Sequence, residues 1–409
     1  MMDGQLSNDL ISRYAMGSED ASEKRLGQLD GLRAVAVAGV IVQHSLGFLK
    51  WSPWSGGFES GAAGVRLFFV LSGFLITGIL LRARQTALER GVSRWVVWRA
   101  FYARRALRIL PLAYLVLAVA WLAGSPSIRE HPWMYALYTS NFNVAWHGFT
   151  DSSLDHFWSL AIEEQFYLFW PIVLLGTPRR WTAIAMFATV ALSMMARADI
   201  LSHPGDIPVF VPAMVMTSSR LDALAMGGLL AWHRMRWPRS TGLTIGGLLI
   251  GGIGARIAAS LLPYSVIMLP LPETGNVLLC GALVLWASQG IGGVLGRVLG
   301  ARPLVALGTI SYGIYVYHMV IAGLAPIVAT RFGVSIPYPF LFGWPRFVWM
   351  VATTIPIAAL SWRWFERPLN DLKSRFPYIP AASGLSGKRS LERRGPSETP
   401  VIASRAARG

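Results

Sequence analysis

The chain alternates long apolar runs with short, polar, arginine-rich breaks. A helix that crosses a bilayer needs ~20 largely apolar residues. Runs of that kind lie at 31–50, 63–82, 108–124, 157–176, 180–198, 217–233, 242–262, 275–291, 303–327 and 345–365. They predict an all-α polytopic membrane protein with about ten transmembrane helices. A weaker aromatic stretch, PWMYALYTSNFNVAW at 132–146, is short and polar at its centre.

The breaks set the orientation. Between 82 and 108 stand Arg82, Arg84, Arg90, Arg94, Arg99, Arg104, Arg105 and Arg108 against the single acid Glu89. The positive-inside rule puts this stretch in the cytoplasm. If 132–146 is a re-entrant or interfacial segment on the outer side, the remaining basic clusters also fall inside. These are Arg179-Arg180, Arg234 to Arg239, Arg297 with Arg302, and Arg363 to Arg375. Both termini are then cytoplasmic. If 132–146 spans instead, the clusters at 179–180 and 234–239 fall outside, so the expected arrangement is ten spans with both termini cytoplasmic.

This reading divides the chain into a polar segment at 1–29, a transmembrane domain at 30–368 and a basic tail at 369–409. The tail is rich in Gly, Ser and Pro and reads as disordered. Residues 1–29 lack the apolar core of a secretory signal. The spacings Gly242-xxx-Gly246 and Gly247-xxx-Gly251 predict close helix packing in the membrane.

Composition sharpens the picture. Hydrophobic residues make up 54% of the 409, only 14% are charged, and the mean hydropathy is +0.46. Soluble domains carry about a quarter charged residues, so that class is excluded. The net charge of +16 would suit nucleic-acid binding. No soluble domain is left to present a basic face, which excludes that class too. The one cysteine, Cys280, reads as a packing residue. No HExxH or CxxC pattern occurs, and His147 and His156 are nine residues apart in a loop, so no metal site is expected.

Ionisable side chains within apolar runs are costly and mark function. The first run carries Arg33 and His44, eleven residues apart and so on one helix face, about 16 Å from one another along the axis. The fourth opens HFWSLAIEEQFYLFWP, with Glu163 and Glu164 about two turns from its outer end. Ser159, Glu163 and Tyr167 share a face there, and Glu164 points elsewhere. His318, in ISYGIYVYHM, reaches a similar level, either as a packing histidine beside Tyr312, Tyr315 and Tyr317 or in a direct role. A histidine to take a proton and a carboxylate to fix its tautomer make a general base. At the cytoplasmic end of the third run, Arg104 and Arg108 are one turn apart and can grip a polyanion together with Arg105 and Arg33. An anion site below a His/Glu site fits a ligand with a phosphorylated head and a long thin arm, the shape of a coenzyme A thioester.

Five stretches resemble the bacterial acyltransferase family 3. They are LDGLRAVAVAGVIVQH at 29–44, FFVLSGFLI at 68–76, FYARRALRILP at 101–111, FWSLAIEEQFY at 157–167 and SYGIYVYH at 311–318. They stand in family order and cover roughly 29–368. The resemblance implies a multi-pass O-acyltransferase of the bacterial inner membrane. Such an enzyme moves an acyl group, commonly acetyl, from cytoplasmic acyl-CoA to a hydroxyl of a sugar-containing acceptor. Exopolysaccharide, lipopolysaccharide, lipid-linked sugars and glycosylated small molecules are acceptors of this class. The resemblance implies that Arg33 pairs with His44, that Arg104, Arg105 and Arg108 belong to the acyl-CoA motif, and that Glu163 and Glu164 form the central acidic pair. Some members carry a second, periplasmic hydrolase-like domain after the last span; here only a short polar tail is expected beyond Pro368.

The expected mechanism is direct transfer. His44 deprotonates the acceptor hydroxyl, Glu163 or Glu164 orients His44, and Ser159, Tyr167 and His318 support them. A ping-pong route through Ser72, Ser159 or His44 is the variant. The alternative function is a proton-coupled transporter or flippase that uses the same His and Glu as a relay.

Overall fold

The computed structural model describes residues 27–46, 60–150, 153–203, 205–261, 270–335 and 343–379. Every regular element among them is helical. The chain forms α1 (Gly27–Leu46), α2 (Ser60–Glu89) and α3 (Arg94–Ala123), then the short α4 (Pro126–Glu130), α5 (Pro132–Ala136) and α6 (Ser140–His147). There follow α7 (Phe157–Gly176), α8 (Thr182–Ser202), α9 (Phe210–Val215), α10 (Thr217–Arg236), α11 (Thr241–Leu261) and α12 (Leu271–Gln289). The last elements are α13 (Gly293–Leu299), α14 (Arg302–Thr309), α15 (Ser311–Arg331), α16 (Gly343–Ser361) and α17 (Arg367–Asp371).

Ten of these helices, α1–α3, α7, α8, α10–α12, α15 and α16, have 19 residues or more. At 1.5 Å per residue each is long enough to cross the ~30 Å hydrocarbon thickness. Seven are also apolar enough to cross a membrane by composition. The other three, α7, α10 and α16, carry the polar side chains Glu163, Glu164, Gln165, Arg220, Asp222 and Arg346. The protein is an all-α polytopic membrane protein. Its outer faces fit lipid: on α11, Leu243, Ile250 and Leu261 are 84%, 76% and 76% exposed, a surface that water would not tolerate.

α2 runs through the centre and packs on α10, α12, α7 and α3. Its seam with α10 is very close. A Cβ on Gly73 would sit 1.8 Å from the Leu224 carbonyl oxygen, and one on Gly227 would sit 2.1 Å from that of Val70. Backbones meet at this range only through glycine. The glycine spacing on α11 does something other than expected. Cβ atoms on Gly242, Gly246 and Gly247 would meet open space, and α11 contacts α12 through Gly252 and Gly275 instead.

A buried charge network ties four helices together. Arg66 Nε on α2 donates to both oxygens of Glu273 on α12 at 2.7 Å, and Arg220 on α10 pairs with the same carboxylate. Arg197 on α8 binds Asp222 on α10 at 2.7 Å.

Three further expectations are corrected, and the choice between spanning and re-entry for 132–146 is resolved. The arginine-rich 82–108 stretch is a continuation of α2 and α3, two helices of 30 residues joined by a short turn at 90–93. At ~45 Å each they outrun the bilayer. Arg84 and Arg94 are not merely topological charges. They donate to the carbonyls of Leu174, Leu175 and Thr177 and so cap α7. The 303–327 run is broken at Ile310 into α14 and α15. The 132–146 stretch does not span. It folds as the short α5 and α6, and Gln165 donates to Tyr138 O at 2.8 Å and Asn141 Oδ1 at 2.9 Å. Gln165 lies eight residues, about 12 Å, into α7, so this segment dips inward, its irregular backbone satisfied by protein. Tyr138 itself adopts φ +54°, a left-handed conformation rare outside glycine, and that carbonyl is the one Gln165 holds.

The expected tail begins differently as well. Residues 367–375 are helical and pack against α3. Its remainder, 380–409, and most of the expected segment 1–29 lie outside the described residues.

Candidate active site

A cavity lies between α1, α2, α3, α7 and α15. Arg33 on α1 and Arg105 and Arg108 on α3 line it, with Ser72 on α2, Ser159, Glu163 and Tyr167 on α7, and Ser311, Tyr312 and Tyr315 on α15. The 4-residue spacing of Ser159, Glu163 and Tyr167 puts all three on the cavity side, as helical geometry requires. Both oxygens of Glu163 are engaged: Ser72 Oγ donates to one at 3.0 Å and Tyr167 OH to the other at 3.1 Å. Arg105 lies over the ring of Tyr167, 5.5 Å from its centroid. Arg33 pairs with Asp30 at 2.9 Å. Three guanidiniums thus face two carboxylates. The surplus is positive and suits an anion.

Beyond the cavity lies a histidine cluster. Ser159 is hydrogen-bonded to Tyr315 OH, which also donates to the His156 carbonyl at 3.1 Å. The His318 ring lies tilted beside Tyr315, 5.5 Å between centroids, and the His156 and His318 ring centroids are 4.9 Å apart. His318 Nδ1 is 2.6 Å from the Tyr315 carbonyl oxygen. A carbonyl only accepts, so Nδ1 carries the proton and Nε2 of neutral His318 is the acceptor. His44 Nδ1 lies 3.0 Å from that Nε2. His44 Nδ1 is therefore the donor, which leaves the basic lone pair of His44 on Nε2. One backbone carbonyl sets the tautomer of two histidines in turn.

The expected His44–Glu pair is not made. Antiparallel α7 and α15 meet at the Ser159–Tyr315 contact. From that level His318 is three residues toward one end and Glu163 four toward the other, a separation of about 10 Å along the axis. The partner of His44 is His318, and Glu163 belongs to the cavity below. Glu164 lies outside the cavity wall, and its Oε1 is buried with no hydrogen-bond partner. Arg104 is likewise not part of the anion site. Its Nη1 donates to the carbonyls of Lys373 at 2.9 Å and Phe376 at 3.4 Å, and its guanidinium lies 5.1 Å from the Tyr378 ring centroid. Residues 104 and 105 point ~100° apart on a helix, so the inward pair is Arg105 with Arg108.

Sequence reasoning named Ser72 only for a covalent route and His156 only as an unpaired metal candidate; the structure puts both at the site. The signal for His156 was its place immediately before FWSLAIEEQFY. Among the described residues no His, Cys, Asp and Glu side chains converge as a metal site.

A ring of membrane-spanning helices around a cationic cavity, with a hydrogen-bonded histidine pair beyond it, defines a polytopic membrane protein. The acyltransferase-domain family model matches residues 26–363. The chain belongs to the acyltransferase 3 family. It is 30% identical over 383 residues to the peptidoglycan O-acetyltransferase OatA of Listeria monocytogenes, covering 85% of this chain and 56% of the relative. It is 32% identical over 376 residues to YrhL of Bacillus subtilis, named as a candidate peptidoglycan O-acetyltransferase, covering 83% and 54%. A Staphylococcus aureus protein named as a candidate O-acetyltransferase is 28% identical over 391 residues, covering 86% and 59%. The chain spans little more than half the length of these curated relatives. No solved structure matches it.

Proposed function

We propose that the protein is an O-acyltransferase of the bacterial cytoplasmic membrane. In this reading it transfers an acyl group, acetyl by preference, from cytoplasmic acyl-CoA to a hydroxyl of a glycan or glycosylated acceptor on the outer side. The carrying observation is the layered site: guanidiniums at one depth, hydroxyls and Glu163 above them, histidines above those. The named relatives support the acetyl group and the glycan acceptor, and family membership supports an enzyme over a transporter.

In this reading Arg33, Arg105 and Arg108 hold the donor's phosphates at the cytoplasmic face, with both termini and the α2–α3 turn on that side. The thioester end lies along Ser72, Ser159 and Tyr315. Glu163 acts as a positioning residue, holding Ser72 and Tyr167 in the cavity wall. His44 Nε2 takes the proton of the acceptor hydroxyl. The resulting oxygen bonds to the thioester carbon, the C–S bond breaks, and the thiolate leaves with its electron pair and takes up the proton that His44 removed. As His44 becomes imidazolium, its Nδ1–H stays bonded to His318, which stabilises the charge.

The test is acyl transfer from radiolabelled acetyl-CoA in membranes that hold the full-length protein. Wild type is expected to label a glycan fraction, and His44→Ala to lose 10²–10⁴-fold in turnover, the range for a general base. Undiminished labelling by His44→Ala would refute the mechanism.

A further inference from the structure

The turn after α17 carries a cation that the cavity wall does not include. Residues 372–375 form a short 3₁₀ turn packed on α3. It is strapped there by Arg104, which donates to the Lys373 and Phe376 carbonyls and covers the Tyr378 ring. The strap brings Lys373 onto α3 within electrostatic range of Arg104, Arg105 and Arg108, with Asp371 of its own segment as the opposing acid. Burial, and then the repulsion of those three guanidiniums, depresses Lys373 from its ordinary value to about 7. Two of the three, Arg105 and Arg108, line the donor cavity. A lysine driven toward neutrality by arginines is unfavourable by itself and becomes favourable when an anion enters among them.

We infer that Lys373 is an anion-binding residue of the donor site, and that the segment 367–378 is a fixed part of that site, held to α3 by Arg104. Its ligand is a phosphate of the acyl-CoA nucleotide, so the inference rests on the acyl-CoA reading above. Arg104, adjacent in sequence to the gripping arginines, serves the site at one remove, as the clamp that keeps Lys373 in place.

The experiment measures KM and kcat for acetyl-CoA in the full-length protein for wild type, Lys373→Gln, Lys373→Arg and Arg104→Ala. Loss of one charge-assisted hydrogen bond predicts a KM about tenfold higher for Lys373→Gln, with kcat at saturating donor retained. Lys373→Arg restores the low KM, and Arg104→Ala raises KM as Lys373→Gln does. With S-acetylpantetheine, a donor without nucleotide phosphates, the difference in KM between wild type and Lys373→Gln shrinks. If wild type turns over acetyl-CoA and Lys373→Gln has a KM within twofold of it, this inference is overturned and the donor reading stands. If wild type neither binds nor uses acetyl-CoA, both fall.

Discussion

Replacing His318 separates the proposed tautomer chain from simple packing. His318→Phe keeps a flat ring in the α15 position but removes the Nε2 acceptor 3.0 Å from His44 Nδ1 and the Nδ1 donor 2.6 Å from Tyr315 O. Two effects follow for His44. The Nδ1–H tautomer loses an acceptor that favours it, which costs about a factor of two in the active form. The larger effect arises in the transition state, where the imidazolium Nδ1–H loses its acceptor. A hydrogen bond to a charged group contributes ~1.5–3 kcal/mol against ~0.5–1.5 kcal/mol for a neutral one, so the differential loss is ~1–1.5 kcal/mol, or about tenfold in rate. The expected fall in kcat is therefore about 20-fold, well short of the 10²–10⁴-fold for His44→Ala. KM for acetyl-CoA stays near wild type, because His318 is outside the cavity wall. His318→Gln, whose amide oxygen reaches the former Nε2 position, recovers most of the loss. Single-turnover transfer from labelled acetyl-CoA, with thermal unfolding as a folding control, measures this. A folded His318→Phe protein with wild-type kcat, or a Gln variant no better than Phe, would refute the reasoning.

The donor affinity carries a pH signature. With Lys373 at about 7 in the empty site, an anion raises that value on binding. Affinity is then greatest below pH 7 and falls above it, as the ammonium deprotonates, by up to about tenfold per unit. The phosphate's own titration near 6 lies below this window. Isothermal binding of coenzyme A between pH 7 and 9 reads it, and Lys373→Arg, charged throughout, is expected to give a flat profile. Glu273→Gln leaves Arg66 and Arg220 buried beside a neutral amide. Breaking a buried pair costs ~3–5 kcal/mol, so a marked drop in Tm in detergent is expected, and an unchanged Tm would show the network to be dispensable. Gly73→Ala places a Cβ 1.8 Å from Leu224 O; α2 and α10 must part, with ~1–3 kcal/mol or more lost. Trypsin sensitivity equal to wild type would contradict this.

Much of the fold was legible because lipid imposes one simple rule, long apolar helices with charges at their ends. The face shared by Ser159, Glu163 and Tyr167 was legible too, since it depends only on residues four apart. What stayed hidden depends on register between distant helices. His44 and His318 are 274 residues apart, and counting from the ends of apolar runs put Glu163 at the histidine level. The 303–327 run concealed a break at Ile310, so the start of α15, and with it the depth of His318, could not be counted correctly. Arg104 and Arg108 share a helix face by spacing, yet only the fold of residues 373–378 reveals that Arg104 is occupied elsewhere.

The distance between the arginines and the histidines has an electrical meaning. Moving one elementary charge across a bilayer against its potential involves ~2.3 kcal/mol per 100 mV. In the proposed reaction the donor's phosphates, held at the level of Arg33, eleven residues below His44 on α1, never make that crossing. In the proposed transfer the acyl group moves toward the acceptor while the acceptor's proton moves to the thiolate, so no net charge passes between the layers. Acetyl transfer by such a site is therefore expected to depend little on the membrane potential.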